Sequence, residues 1–211
     1  MDAEEKKYGL NEATLRLVES AVLLALATVL SLVKIYQMPL GGSVTLCSML
    51  PVLLLGYKYG VKWGLLTGFV YGVIQLLLDV AAALSWGLTP VALAASFIFD
   101  YLLAFACLGL AGLFGRGFPK YAAGMFAAVL LRFAMHVISG VTAYASWLPK
   151  EWQGHLFLYS LAYNGSFLLP DFAISFAVGL LLYKPLRRFL EPAEKTGGGR
   201  RAAVQGGNGR G

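Results

Sequence analysis

The sequence predicts an all-α integral membrane protein with six transmembrane helices and both termini in the cytoplasm. Three observations carry this. Hydrophobic residues make up 58% of the 211 and charged residues only 13%. The apolar residues fall in runs near the ~20 needed to cross the hydrocarbon of a bilayer. The basic residues segregate: fourteen of the 17 Lys and Arg fall on one side of the chain's predicted path, only Lys34 and Lys150 on the other, and Arg132 inside a span. Cytoplasmic loops collect Lys and Arg, so the rich side is cytoplasmic. The net charge of +6 follows from this segregation and from attraction to anionic headgroups, and it does not point to nucleic acid.

The first predicted span covers residues 14–36 and carries small residues at Ser20, Ala21, Ala25, Ala27 and Ser31. Such a face packs closely on a neighbouring helix, in this chain or in another. The second, residues 43–57, is interrupted by Pro51 and made more polar by Ser43, Thr45 and Ser48. In the third, residues 61–84, Gly60, Gly64, Gly68 and Gly72 recur every four residues, which predicts a backbone-close helix contact. The fourth, residues 91–114, carries Asp100 and Tyr101 near its middle. The fifth, residues 120–146, sets Arg132, His136, Gly140 and Tyr144 four apart, hence on one helical face. The sixth, residues 157–183, brings Tyr159, Tyr163 and Asn164, with Pro170 and Asp171 deeper.

Residues 14–190 are therefore expected to form one membrane domain, preceded by a cytoplasmic segment (1–13). A Gly- and Arg-rich tail (191–211) without apolar periodicity is expected to be disordered. The first sixteen residues are too charged for a cleavable signal peptide. Cys47 and Cys107 are expected inside helices as unpaired thiols.

Arg, His and Asp inside hydrocarbon cost several kcal/mol unless they meet partners or a water-filled cavity. Counting ~1.5 Å per residue, the polar and aromatic groups gather in the outer half of the bundle: Tyr71, Gln75, Asp79, Asp100, Tyr101, His136, Gly140, Tyr144, Tyr159, Tyr163 and Asn164. The inner half is nearly all apolar apart from Arg132 and Asp171. A channel or proton path needs polar groups along its whole length, whereas a binding cup needs them at one end. The distribution predicts a cup open to the outside, suited to a flat cationic ligand: Tyr faces attract cations, and Asp100, His136 and Asn164 can fix amine and ring-nitrogen edges. Plainer roles stand beside these. Asp100 can pair with Arg132, His136 can bond a neighbouring helix, Asp171 can meet Arg132 or backbone freed by Pro170, and Tyr144 and Tyr159 can belong to an interfacial belt. Trp86, Trp147 and Trp152 are expected there too. No GxxxxGK[ST], GxSxG or HExxH motif occurs, so neither ATP hydrolysis nor other catalysis is expected.

Several stretches resemble one known family: Met38-Pro-Leu-Gly-Gly-Ser-Val44, Asp100-Tyr101-Leu-Leu-Ala-Phe105 with Leu-Ala-Gly-Leu-Phe114, Leu131 to Gly140, and Tyr159-Ser-Leu-Ala-Tyr-Asn164. In order and spacing they resemble the thiamine-specific substrate-binding component (S-component) of energy-coupling factor transporters. The resemblance implies a six-helix bundle in the bacterial plasma membrane. It further implies high-affinity capture of thiamine from outside, with no cofactor. Delivery would use a transmembrane coupling protein and two ATPases. It also implies that Asp100, Tyr101, His136, Tyr144, Tyr159, Asn164 and Tyr71 contact thiamine, that Arg132 occupies a basic position, and that Ala21 and Ala25 dock the coupling protein. Gly140, on the same stripe, completes the expected substrate-binding set. Three alternatives remain at this stage: a stand-alone ion-coupled or facilitative transporter, an intramembrane enzyme using His136, and an S-component for another vitamin.

Overall fold

The computed structural model describes residues 11–191; the predicted N-terminal segment and tail fall largely outside the described residues. Helix α1 (Glu12–Leu32) begins at Asn11, whose side chain accepts from the Thr14 N–H at 2.7 Å and so satisfies one of the orphan donors of the first turn. A short antiparallel hairpin follows, β1 (Lys34–Gln37) paired with β2 (Ser43–Thr45). Then come α2 (Leu50–Tyr59), α3 (Val61–Ser85) and α4 (Pro90–Ser96). The fourth pass continues from α4 through a π-helical turn (Phe97–Leu103) into α5 (Ala104–Leu108) and a 3-10 turn (Gly109–Gly112). The last two passes are α6 (Phe118–Thr142) and α7 (Leu156–Leu190).

Five of these passes are long and apolar enough to cross a bilayer, and α2 is the sixth, shorter helix. Ten residues rise only ~15 Å, half a hydrocarbon core. The predicted helix over residues 43–57 begins late because Ser43–Thr45 is a strand, Cys47 takes φ +58°, and Pro51 sits in the first turn of α2. Cys47 thus lies in a turn rather than a helix, and both thiols are free. Non-helical backbone at this depth needs protein partners, which it has: the Thr45 N–H and hydroxyl both donate to Asp171 Oδ1 on α7, at 2.8 and 2.9 Å. Leu50 through Tyr57 are all buried, so α2 is the central helix and the longer ones enclose it.

Other boundaries move as well. The first helix ends at Leu32, four residues before the predicted end, where the chain turns into the hairpin. The last helix continues seven residues beyond Tyr183, past Pro185, and Glu191 is built into the fold. The glycine ladder packs α3 on the fourth pass. A Cβ on Gly64, Gly68 or Gly72 would lie 2.3, 2.5 or 2.6 Å from the carbonyl oxygens of Gly109, Phe105 and Tyr101, respectively. Gly60 instead makes the α2–α3 link at φ +82°, a conformation that favours glycine.

The end bearing Arg116 and Glu191 is closed. Arg116 donates to the carbonyls of Tyr57, Lys58 and Leu190, and Glu191 accepts from the Tyr57 and Tyr183 hydroxyls and the Gly117 N–H. Tyr57, Tyr121 and Tyr183 pack edge-on and tilted beneath this seal.

Candidate functional site

A cavity of about 130 Å³ lies between the hairpin, α3, the fourth pass, α6 and α7, roughly ten times the space one water needs. Lys34, Trp86 and Trp147 contribute to its lining, so it sits toward the end of the bundle poor in basic residues. The stripe of α6 faces it as its spacing predicts: Arg132, His136, Gly140 and Tyr144 all line the wall. Asp100, Tyr101, Tyr71, Tyr159 and Asn164 line it too, so all eight expected substrate-binding residues surround one space.

Asp100 and Tyr101 owe their placement to the π-helical turn, whose wider winding shifts the residues that follow relative to a regular α-helix. The turn leaves Asp100 facing α6 and Tyr101 facing α3. Asp100 Oδ1 meets His136 Nδ1 at 2.9 Å, and Oδ2 accepts from Ser139 at 2.5 Å and Ser96 at 3.1 Å. An ionised carboxylate offers roughly four acceptor sites. Three are used within the protein, which leaves about one for a ligand.

His136 Nε2 accepts from Arg132 Nε at 3.3 Å, and the His136 ring meets Phe167 edge-on with centroids 5.9 Å apart. The expected alternative of an Asp100–Arg132 pair is not what forms: Asp100 pairs with His136, while the Arg132 guanidinium stacks 4.1 Å from the Phe105 ring centroid. Stacking on a ring face gives a buried guanidinium attraction without a carboxylate. Arg132 Nη1 is buried and has no hydrogen-bond partner among the described residues. Asp171 meets neither Arg132 as an ion pair nor the backbone near Pro170, but holds the hairpin through Thr45.

Asn164 donates to the His136 carbonyl at 3.2 Å and the Ser160 carbonyl at 2.9 Å, fixing α7 against α6. At Gly140 the two helices approach closely, since a Cβ there would lie 2.1 Å from Ser160 Oγ. Its part in the site is to let α7 approach. Tyr71 is fully buried, with its hydroxyl donating to the Ala27 carbonyl at 3.1 Å, so it offers the cavity a ring rather than a free hydroxyl. Tyr101 reaches Asp79 at 3.3 Å, and Tyr144 bonds Ser96 at 2.9 Å.

Sequence reasoning missed part of the wall. Trp86 and Trp147, expected at the interface, line the cavity, and Trp86 tilts against Tyr144 with centroids 6.0 Å apart. Ser96 and Ser139, which bind Asp100, were legible in principle: they stand four residues before Asp100 and three after His136, on the same helical faces. Ala21 and Ala25 are exposed on α1, while Ser20, Leu24, Ala27 and Ser31 form its buried face. The alanines therefore do not serve packing within this chain.

Comparison with known proteins agrees with this architecture. The sequence profile of the family described as thiamine transporter protein matches residues 17–191. The thiamine transporter ThiT of Bacillus subtilis (strain 168) is 35% identical over 191 residues, covering 83% of this chain and 94% of that protein. A solved structure of ThiT from Listeria monocytogenes superposes with a TM-score of 0.65 at 21% identity, over 85% of this chain and 99% of that one, which shows the shared fold. A multi-pass helical bundle with a polar cavity at one end, matched over nearly its whole described length, belongs to the thiamine transporter protein family, a family of transporters and not of enzymes.

Proposed function

We propose that this protein is the thiamine-binding subunit of an energy-coupling factor importer. In this reading it lies in the plasma membrane with both termini cytoplasmic, and the cavity captures thiamine from outside. The charge of the cavity is the observation that carries the ligand. Its wall holds three carboxylates, Asp79, Asp100 and Asp171, against two cations, Lys34 and Arg132. With all three carboxylates ionised and His136 neutral, one net negative charge remains, matched to a ligand with one permanent positive charge.

Thiamine is such a ligand, with a cationic thiazolium and a flat aminopyrimidine. The rings of Tyr144, Tyr159, Tyr163 and Trp86 supply faces for the cation, each worth ~0.5 to 2 kcal/mol. The remaining acceptor site of Asp100 takes the pyrimidine amine, beside His136 and Asn164. Stacking and paired polar contacts in a dry cup support nanomolar affinity, about 12 kcal/mol.

The sealed opposite end favours a cup over a continuous channel. Inward delivery then needs other subunits, and the chain has no ATP-binding loop of its own. The exposed Ala21 and Ala25 of α1 suit close approach by a helix of the coupling protein. Calorimetric titration of the purified protein with thiamine, beside riboflavin and biotin, tests the ligand: heat for thiamine alone is expected, and silence toward micromolar thiamine would remove it.

A further inference from the structure

Arg132 presents a puzzle in a cavity that suits a cation. It is only 8% exposed and carries a positive charge on the wall where a cationic ligand would sit. By Coulomb's law alone it weakens binding. Its contacts show what it does instead. Stacked on Phe105 and one helical turn before His136, it directs its Nε–H at His136 Nε2. A guanidinium carries donors only, so the ring nitrogen it meets must be an acceptor. That leaves the imidazole proton on Nδ1, which faces Asp100 Oδ1 at 2.9 Å.

We propose that Arg132 is a positioning residue: it fixes His136 as the neutral Nδ1–H tautomer, so that the ring donates its one N–H to Asp100. The consequences for the site are two. The His136 ring is held at both nitrogens, between Arg132 and Asp100, and its face is presented to the cavity in one orientation. The second nitrogen is also barred from taking a proton, because Nε2–H would point at another donor, and the single net negative charge is kept. The effect on ligand affinity rests on the thiamine reading; the tautomer does not.

Nitrogen-15 NMR on histidine-labelled protein reads the tautomer directly. The chain has two histidines, and His155 is exposed and outside the cavity wall, so His155→Gln leaves one imidazole to observe. In ligand-free protein the neutral Nδ1–H pattern is expected, kept in Arg132→Lys, whose ammonium is also donor-only, and replaced in Arg132→Met by a doubly protonated ring, because Asp100 still accepts from Nδ1–H while no donor bars a proton from Nε2. In calorimetry, Arg132→Met should bind thiamine about tenfold or more weakly, and Arg132→Lys should recover most of the loss. An Nε2–H ring in the unmutated site, or an unchanged ring in Arg132→Met, overturns the proposal. So does unchanged or tighter thiamine binding by Arg132→Met, the result expected of a cation acting by charge alone. The unmutated spectrum needs no Arg132 variant, so misfolding of one cannot shelter the idea. If the unmutated protein binds no thiamine, the functional reading falls while the spectrum still decides the tautomer.

Discussion

Asp100→Asn keeps the size of the side chain and removes its charge, which makes it the sharpest test of the charge match. With Asp100 ionised the cavity wall carries one net negative charge; with Asn it carries none. A carboxylate about 6 Å from a cationic ring, at an effective dielectric of about 20, contributes on the order of 2 to 3 kcal/mol. That corresponds to a loss of roughly 30- to 150-fold in affinity. The amide also brings an NH2 among Ser96, Ser139 and His136, which all donate to Asp100 in the present arrangement, so the loss should not fall below that range. Titration calorimetry with thiamine in detergent measures it. Glu191→Gln, at the sealed opposite end, serves as the control with unchanged affinity. An Asp100→Asn protein that binds within about threefold of the unmutated one would refute the charge argument, because the lost Coulomb energy is far larger.

Gly109→Ala should strongly lower thermal stability in detergent, since its Cβ would lie 2.0 Å from the Gly64 carbonyl carbon and two backbones must separate; a midpoint within a degree or two of the original would contradict that contact. Asp171→Ala should free the hairpin, leaving the buried Thr45 N–H unpaired at a cost of about 1 to 3 kcal/mol, visible as faster hydrogen exchange at Thr45, and unchanged exchange there would count against the anchor. For Glu191, burial raises the carboxyl, but hydrogen bonds from Tyr57, Tyr183, the Gly117 N–H and Arg187 outweigh it and bring it down to about 2, from an ordinary 4.5. A carboxylate depressed on folding stabilises above its unfolded value and loses that contribution as pH falls toward the folded one. The melting-temperature gap between the unmutated protein and Glu191→Gln should therefore be constant near neutrality and shrink below pH ~4.5; a gap unchanged at pH 3 would be the contrary result. Ala21→Trp or Ala25→Trp should leave thiamine binding intact but stop uptake once coupling protein and ATPases are present, and normal uptake would exclude α1 as the docking face.

The membrane class, the approximate helix positions and the stripe of α6 were readable from the chain itself, because hydrocarbon imposes a minimum span length and helical winding repeats every 3.6 residues. The glycine ladder of α3 was readable for the same reason, although its partner on the fourth pass was not. The hairpin and the shortness of α2 were hidden. An apolar run reads as helix until some distant group satisfies a non-helical backbone, and here that group is Asp171, 126 residues from Thr45. The π-helical turn carries no local signal either, since its winding answers to packing between α3 and α6 rather than to the residues within it. Asp100 and His136 could be named from their cost in hydrocarbon. Their pairing with each other, and Arg132's turn toward an imidazole instead of a carboxylate, was decided by where three helices place those side chains in space.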